Sequence, residues 1–136
     1  MLLVTAAVII RDKRVLICQR SWEGAHPGKW EFPGGKVEPG ETLTACVRRE
    51  LQEELGIAAE PAEPVWRIQH RYPNGPACDI VFIPISRFTG EPANRCFAAM
   101  HWVALGDLAR YDFLEADREF VRLLDDGAIA LASSQA

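Results

Sequence analysis

Three glutamates, Glu50, Glu53 and Glu54, fall within one turn of a segment whose pattern predicts a helix. Side chains at i, i+3 and i+4 share one side of a helix, and like charges there repel. A divalent cation turns that penalty into a site, because Mg²⁺ is held by carboxylates together with substrate phosphates. At ~100° per residue, Leu43, Val47, Leu51 and Leu55 make a drifting apolar stripe. Glu50 and Glu54 project beside Leu43 and Val47, Glu53 lies nearer the edge, and Arg48 and Gln52 take the opposite side. Carboxylates turned toward the protein body are costly unless paired or metal-bound. The competing reading is an acidic helix edge neutralised by Arg48, Arg49 and Lys36.

The elements that must position these groups are readable in outline. Pro33-Gly34-Gly35 breaks the chain sharply, and glycines near a helix start present backbone groups to phosphate or metal. Thr42 is the expected N-cap of a helix running to about Leu55, with Gly56 as its stop. Before it, Leu2 to Arg11 reads as a buried strand, Arg11 to Arg14 as a turn, and Val15 to Arg20 as the returning strand. Trp22 to Lys29 is a loop, and Trp30-Glu31-Phe32 a short extended piece. After the helix, Glu60 to Pro64 reads as a proline-rich connection. Val65 to Tyr72 and Cys78 to Ser86 read as strands around the turn Pro73 to Pro76, and Met100 to Leu105 as another strand. A last helix is expected over Glu115 to Asp126, and the tail Ala130 to Ala136 is expected to fray. This order predicts an α/β fold, a mixed β-sheet sandwiched by helices (α/β/α), in a single domain over residues 1–136.

Composition narrows the function classes. Of 136 residues, 49% are hydrophobic and 25% charged, enough for a core and without a disordered bias. A net charge of −4 argues against a protein that coats polymeric nucleic acid. The apolar start, Met1 to Ile10, is too short for a membrane span. With no targeting segment read in the sequence, a cytoplasmic location is expected. Cys18, Cys46, Cys78 and Cys96 form no CxxC pair and read as reduced thiols.

Gly35, five residues, Glu41, seven residues, then Arg49-Glu50-Leu51-Gln52-Glu53-Glu54-Leu55-Gly56-Ile57 matches the Nudix box at every defined position. Trp30 to Glu38 resembles the MutT branch of that superfamily. The resemblance implies a Nudix-type fold and a hydrolase acting on a nucleoside diphosphate linked to another group, with Mg²⁺ or Mn²⁺. MutT-like members convert a nucleoside triphosphate to its monophosphate and pyrophosphate. The resemblance implies metal ligation by Glu50, Glu54, Glu53 (directly or through water) and the Gly34 carbonyl. Arg49 would hold Glu50, Glu41 would support the loop–helix junction or a water-bound metal, and Arg20 would contact phosphate. The expected substrate is an oxidised or non-standard nucleotide such as 8-oxo-dGTP. Alternatives are CTP or 5-methyl-dCTP, or a non-catalytic nucleotide-binding module, which would be expected to lose box carboxylates that this chain keeps. The partner is then a small nucleotide, with no membrane or polymeric nucleic acid, and the chain a monomer or homodimer.

Two departures from the family pattern stand out. Cys96 falls where relatives often carry a further acidic residue, and nearby only Glu91 and His101 offer acid or base chemistry. Glu50 or Glu53 is then the candidate general base. In MutT an asparagine reads oxidised guanine; Asp117 stands in the matching segment. An ionised Asp117 only accepts hydrogen bonds and suits an exocyclic amine; a buried one with raised pKa also donates; a third reading is a helix cap. Phe32, with Leu3 and Thr5, is expected to line the pocket.

Overall fold

The computed structural model describes all residues, Met1 to Ala136. Strand β1 (Leu2–Val8) runs parallel to the long β8 (Ala77–Thr89) at the centre of a five-stranded mixed sheet. Antiparallel partners extend it: β5 (Gly34–Lys36) on β1, with β6 (Ala58–Pro61) and β7 (Trp66–Arg71) on β8. A second sheet pairs β3 (Arg14–Gln19) with β2 (Ile10–Arg11), β4 (Trp30–Glu31) and β9 (Ala99–Ala104). Helix α1 spans Leu43–Leu55 and α2 Arg118–Asp125.

Strand alternation sorts the core into two. Ala7, Ile9, Val81 and Ile83 pack with Val47, Leu51 and Leu55 of α1. Ala6, Val8, Ile80 and Phe82 pack with Phe120, Val121 and Leu124 of α2. The mixed sheet is thus covered by a helix on each face, the expected α/β/α arrangement. Truncating fully buried Leu51 to Ala would cost about 2–5 kcal/mol.

Helix α1 begins and ends where its sequence predicts. The Thr42 hydroxyl accepts from Ala45 N–H at 3.0 Å, an N-cap. Gly56 is left-handed (φ 70°) and its N–H reaches the Gln52 and Leu51 carbonyls. The last turn has no basic residue of its own. Arg95, from a distant loop, donates to the Gln52 carbonyl at 3.1 Å and supplies that charge.

Four expectations change. The first strand divides at Ile9: β1 ends at Val8, and Ile10–Arg11 joins the second sheet. Strand β6 runs into the expected proline-rich connection and takes its first two residues: Ala59 is buried against the extended end of β8, and Pro61 sits at a register shift, where its missing N–H is harmless. The last helix starts three residues later than expected. Glu115–Asp117 form a 3₁₀ turn, and Asp117 makes no capping bond. The amides at this end have no intrahelical acceptor, and tertiary partners fix them in the tighter turn: Leu114 N–H donates to the Trp30 carbonyl at 3.0 Å, and Ala116 N–H to the Tyr72 hydroxyl at 3.1 Å. Finally, the tail is tied down. Ser134 N–H donates to the Ile10 carbonyl, Ile10 N–H to Ser134 Oγ, and Ser134 Oγ–H to the Ile85 carbonyl. Ser134 is 8% exposed, stitching β2 to β8.

Candidate active site

The tight approach of β1, β5 and α1 explains the glycine pair. Gly34 has φ 149°, and a Cβ there would lie 2.2 Å from the Thr5 carbonyl oxygen. A Cβ on Gly35 would lie 2.6 Å from the Glu50 carboxyl. Backbone thereby comes within hydrogen-bond reach of the helix carboxylates, and Gly34 N–H donates to Glu54 Oε1 at 3.0 Å.

Arg49 organises the junction. Its Nε and Nη2 donate to Glu41 at 2.8 and 3.0 Å, and Nη2 also donates to the Lys36 carbonyl at 3.0 Å. Its Nη1 donates to Glu50 Oε1 at 2.8 Å. The bidentate guanidinium holds the Glu41 carboxyl down to about 2. Glu41 Oε1 also accepts from Glu38 N–H, so this residue supports the loop–helix junction, one of its two expected roles. Glu53 is 61% exposed and approaches Arg49 only to 3.6 Å, at the helix edge as expected.

Glu54 has the opposite environment. Burial, the charge of Glu50 and that of Glu31 push its carboxyl up to about 8, against the opposing Gly34 N–H bond. Burial also raises Glu50, despite Arg49. Glu31 rises for the same reason, though its partner Arg20 donates to it at 3.2 Å. Of these three desolvated carboxylates, Glu50 and Glu31 each have an arginine partner and Glu54 has none, so the set keeps an excess of negative charge. Hard oxygen donors with excess negative charge fit a divalent cation. No three acidic, His or Cys side chains close into a complete cage. Such an open set suits an ion that completes its shell with water and phosphate oxygens.

A cleft of about 390 Å³ runs from Glu31 and Glu54 into the protein, with Arg20 beside them at its polar end. The same three groups line an adjoining depression that opens beside Cys96 and Phe97. At the inner end the cleft meets Phe32 and Asp117. Asp117 is 4% exposed, and burial raises its carboxyl well above the ordinary range.

The structure therefore brings Arg20, Phe32, Gly34, Glu54 and Asp117 around one cleft, with Arg49, Glu50 and Glu53 on the helix beside it. Leu3 does not join them. Its side of β1 packs with the α1 core, while Leu2, Val4 and Ala6 line the cleft. Thr5 reaches the cleft wall, but its hydroxyl donates to the Gly35 carbonyl and meets Cys46 Sγ. Glu91 is taken by a bidentate pair with Arg11 at 2.8 and 3.0 Å. His101 packs on Trp30 and bonds the Tyr111 hydroxyl at 3.1 Å, which makes it a strand residue. Cys96 comes within 4.0 Å of Glu54 Oε2, and its thiol is pushed up to about 11, first by burial and then by Glu54. Sequence reasoning missed Glu31, Lys36 and His26 as cleft residues. Alternation in Trp30-Glu31-Phe32 carried the signal for Glu31: Trp30 and Phe32 are core, which turns the residue between them the other way.

Residues 1–124 match the family profile described as NUDIX domain. An 8-oxo-dGTP diphosphatase of Haemophilus influenzae is 36% identical over 124 residues, covering 89% of this chain and 90% of that protein. A CTP pyrophosphohydrolase of Escherichia coli K12 is 36% identical over 117 residues, covering 86% of each. The crystal structure of a MutT NUDIX hydrolase from Burkholderia pseudomallei superposes with TM-score 0.79 at 33% identity, covering 88% of this chain and 95% of that one. No helix here is long and apolar enough to cross a membrane. Similarity that spans nearly the whole chain, and not the box alone, decides the matter: the protein belongs to the Nudix family and is a hydrolase of that divalent-metal-dependent kind.

Proposed function

We propose that this chain is a single-domain, cytoplasmic nucleoside triphosphate pyrophosphohydrolase. It releases the monophosphate and pyrophosphate with Mg²⁺ (Mn²⁺ as a substitute), and acts on oxidised or non-standard nucleotides such as 8-oxo-dGTP. Its role would be nucleotide sanitation, which protects DNA from damaged precursors. The observation that carries this reading is one cleft with two unlike ends. A desolvated carboxylate set lies at its mouth, and a buried carboxyl with raised pKa lies at its base.

Glu50, Glu53, Glu54 and the Gly34 carbonyl would hold the cation. When bound, it neutralises the polyphosphate and polarises the attacking water. Arg49 fixes one oxygen of Glu50 and leaves the other for the metal. Arg20 stands at the cleft mouth for phosphate contact. A water oxygen bonds to one phosphorus of the α–β bridge, the bridging P–O bond breaks, and the monophosphate and pyrophosphate part. Glu53 takes the water proton, a role that its exposure and lack of a close partner support. Glu50 is the alternative base.

Burial favours the neutral form of Asp117, and in that form it both donates and accepts. Its O–H suits O6 of 8-oxoguanine and its carbonyl accepts N7–H. Unoxidised guanine presents a bare N7 to that carbonyl, two acceptors facing each other. The same neutral acid also pairs with N3 and N4 of cytosine. The similarity to a CTP pyrophosphohydrolase therefore supports a second reading, CTP or 5-methyl-dCTP.

A turnover screen over 8-oxo-dGTP, dGTP, CTP and 5-methyl-dCTP, with Mg²⁺ and with chelator, decides between them. The expected result is metal-dependent pyrophosphate release, fastest for 8-oxo-dGTP. Preference for CTP would replace the substrate and keep the reaction. Hydrolysis of none of these with Mg²⁺ would overturn the reading.

A further inference from the structure

Three segments of the chain meet at Tyr72, which follows β7 directly and lines the cleft. Its ring lies 4.4 Å from the ring of His26, in the loop that forms one lip of the cleft mouth. On another side it meets His70, also at 4.4 Å. Its hydroxyl oxygen accepts Ala116 N–H at 3.1 Å. Ala116 immediately precedes Asp117, in the 3₁₀ turn before α2.

Asp117 makes no capping bond of its own, so the backbone of this turn sets the direction of its carboxyl. That backbone is held from two sides. Trp30 holds one: its N–H donates to the Asp112 carbonyl at 2.9 Å, and its carbonyl accepts Leu114 N–H at 3.0 Å. Tyr72 holds the other. Without the phenol, the amide of buried Ala116 would lose its acceptor. The turn could then relax toward the regular helix that follows it, rotating residue 117 on the helix axis.

We propose that Tyr72 is a positioning residue for base recognition. Its hydroxyl locks the 3₁₀ turn in the geometry that aims Asp117 into the cleft, and its ring braces the His26 loop at the same point. Tyr72 thus acts on the base through Asp117 and ties the reading of the base to the wall of the cleft mouth. The proposal rests on the base-reading role given to Asp117 above.

Tyr72→Phe keeps the ring and removes only the hydrogen bond. The expected result is a KM for 8-oxo-dGTP raised about 5- to 10-fold, the scale of one hydrogen bond, with kcat within about twofold. Amide exchange at Ala116 should accelerate, and the melting temperature should fall only by the small amount that one lost hydrogen bond costs. In an Asp117→Ala background, Tyr72→Phe should change KM no further, because its effect runs through the missing carboxyl. An unchanged KM, or fully additive effects in the double variant, overturns the proposal. A parallel fall of kcat and melting temperature also overturns it, since that marks a merely structural role. Should Tyr72→Phe not fold, amide exchange in the native protein remains as the test: slow exchange at Ala116 supports the lock, and rapid exchange there overturns it. Failure of the underlying reading looks different: the native enzyme hydrolyses no nucleoside triphosphate, or Asp117→Ala leaves KM untouched.

Discussion

The two ends of the cleft are built in opposite ways. The metal end comes from one continuous stretch, Gly34 to Gly56, in which a loop, a cap and a helix carry Gly34, Glu41, Arg49, Glu50, Glu53 and Glu54 at set spacings. The base end is collected from β1, the Trp30–Phe32 segment, the residue after β7 and the turn before α2. The metal end concentrates like charge, which burial and Glu50 force upward at Glu54. The base end buries one carboxyl among apolar groups and raises it by desolvation. Charge that a cation must balance demands fixed spacing. Recognition of a flat base demands walls, and those can come from anywhere in the chain.

The contrast breaks most visibly at Glu54. Glu54→Gln should lower kcat by about 10²–10³-fold, since it removes a charge needed where the metal sits. Its melting temperature should hold or rise, because an uncompensated desolvated carboxylate disappears. Steady-state hydrolysis and thermal melts check both. Normal turnover in Glu54→Gln and Glu53→Gln would sink the metal reading. Asp117→Ala should spare that chemistry, raising KM for the preferred nucleotide about 10- to 100-fold and flattening discrimination between 8-oxo-dGTP and dGTP. Loss of kcat instead would mean the two ends are not separable.

Arg49–Glu41 sharpens the comparison through pH. Glu41 is held near 2 in the folded chain, below its ordinary 4.5. A depressed acid stabilises the fold fully above its unfolded pKa, and that contribution fades as pH falls through its folded pKa. Melting temperatures of the native protein and Glu41→Gln should therefore differ by a constant amount above about pH 4.5 and converge toward pH 2. A difference independent of pH would remove Glu41 from the junction's electrostatics. The smallest effect belongs to neither end. Ser134→Ala, in the tail stitch, should cost about 1–2 kcal/mol in denaturant unfolding and leave kcat and KM alone.

Much of the metal end was legible because its determinants are local. Thr42, Gly56 and the apolar stripe specify α1 through contacts within a few residues, and helical spacing then places the glutamates. Misreadings occurred where tertiary partners compete with local preference. Glu115 to Asp117 looked helical, but Trp30 and Tyr72 hold the Leu114 and Ala116 amides in a tighter turn. The small, polar tail looked loose, but two strand ends offered it backbone partners. Leu3 was placed on the wrong face of β1, since a buried strand without clear alternation does not declare which side meets which helix.

The chain's linear order alone determined that a carboxylate helix follows a glycine turn, because cap, stop and helical period all act within a few residues of one another. It also carried the family resemblance, since the box is contiguous, and similarity along nearly the whole chain decided membership. Only the folded arrangement decided that Glu31 stands near Glu54, that Glu91 is spent on Arg11, and that Asp117 lies buried next to the amide that Tyr72 binds. Those relations join residues that are far apart in the chain. Burial and partner choice across such separations depend on how sheets and helices close on each other, which short-range chemistry does not encode.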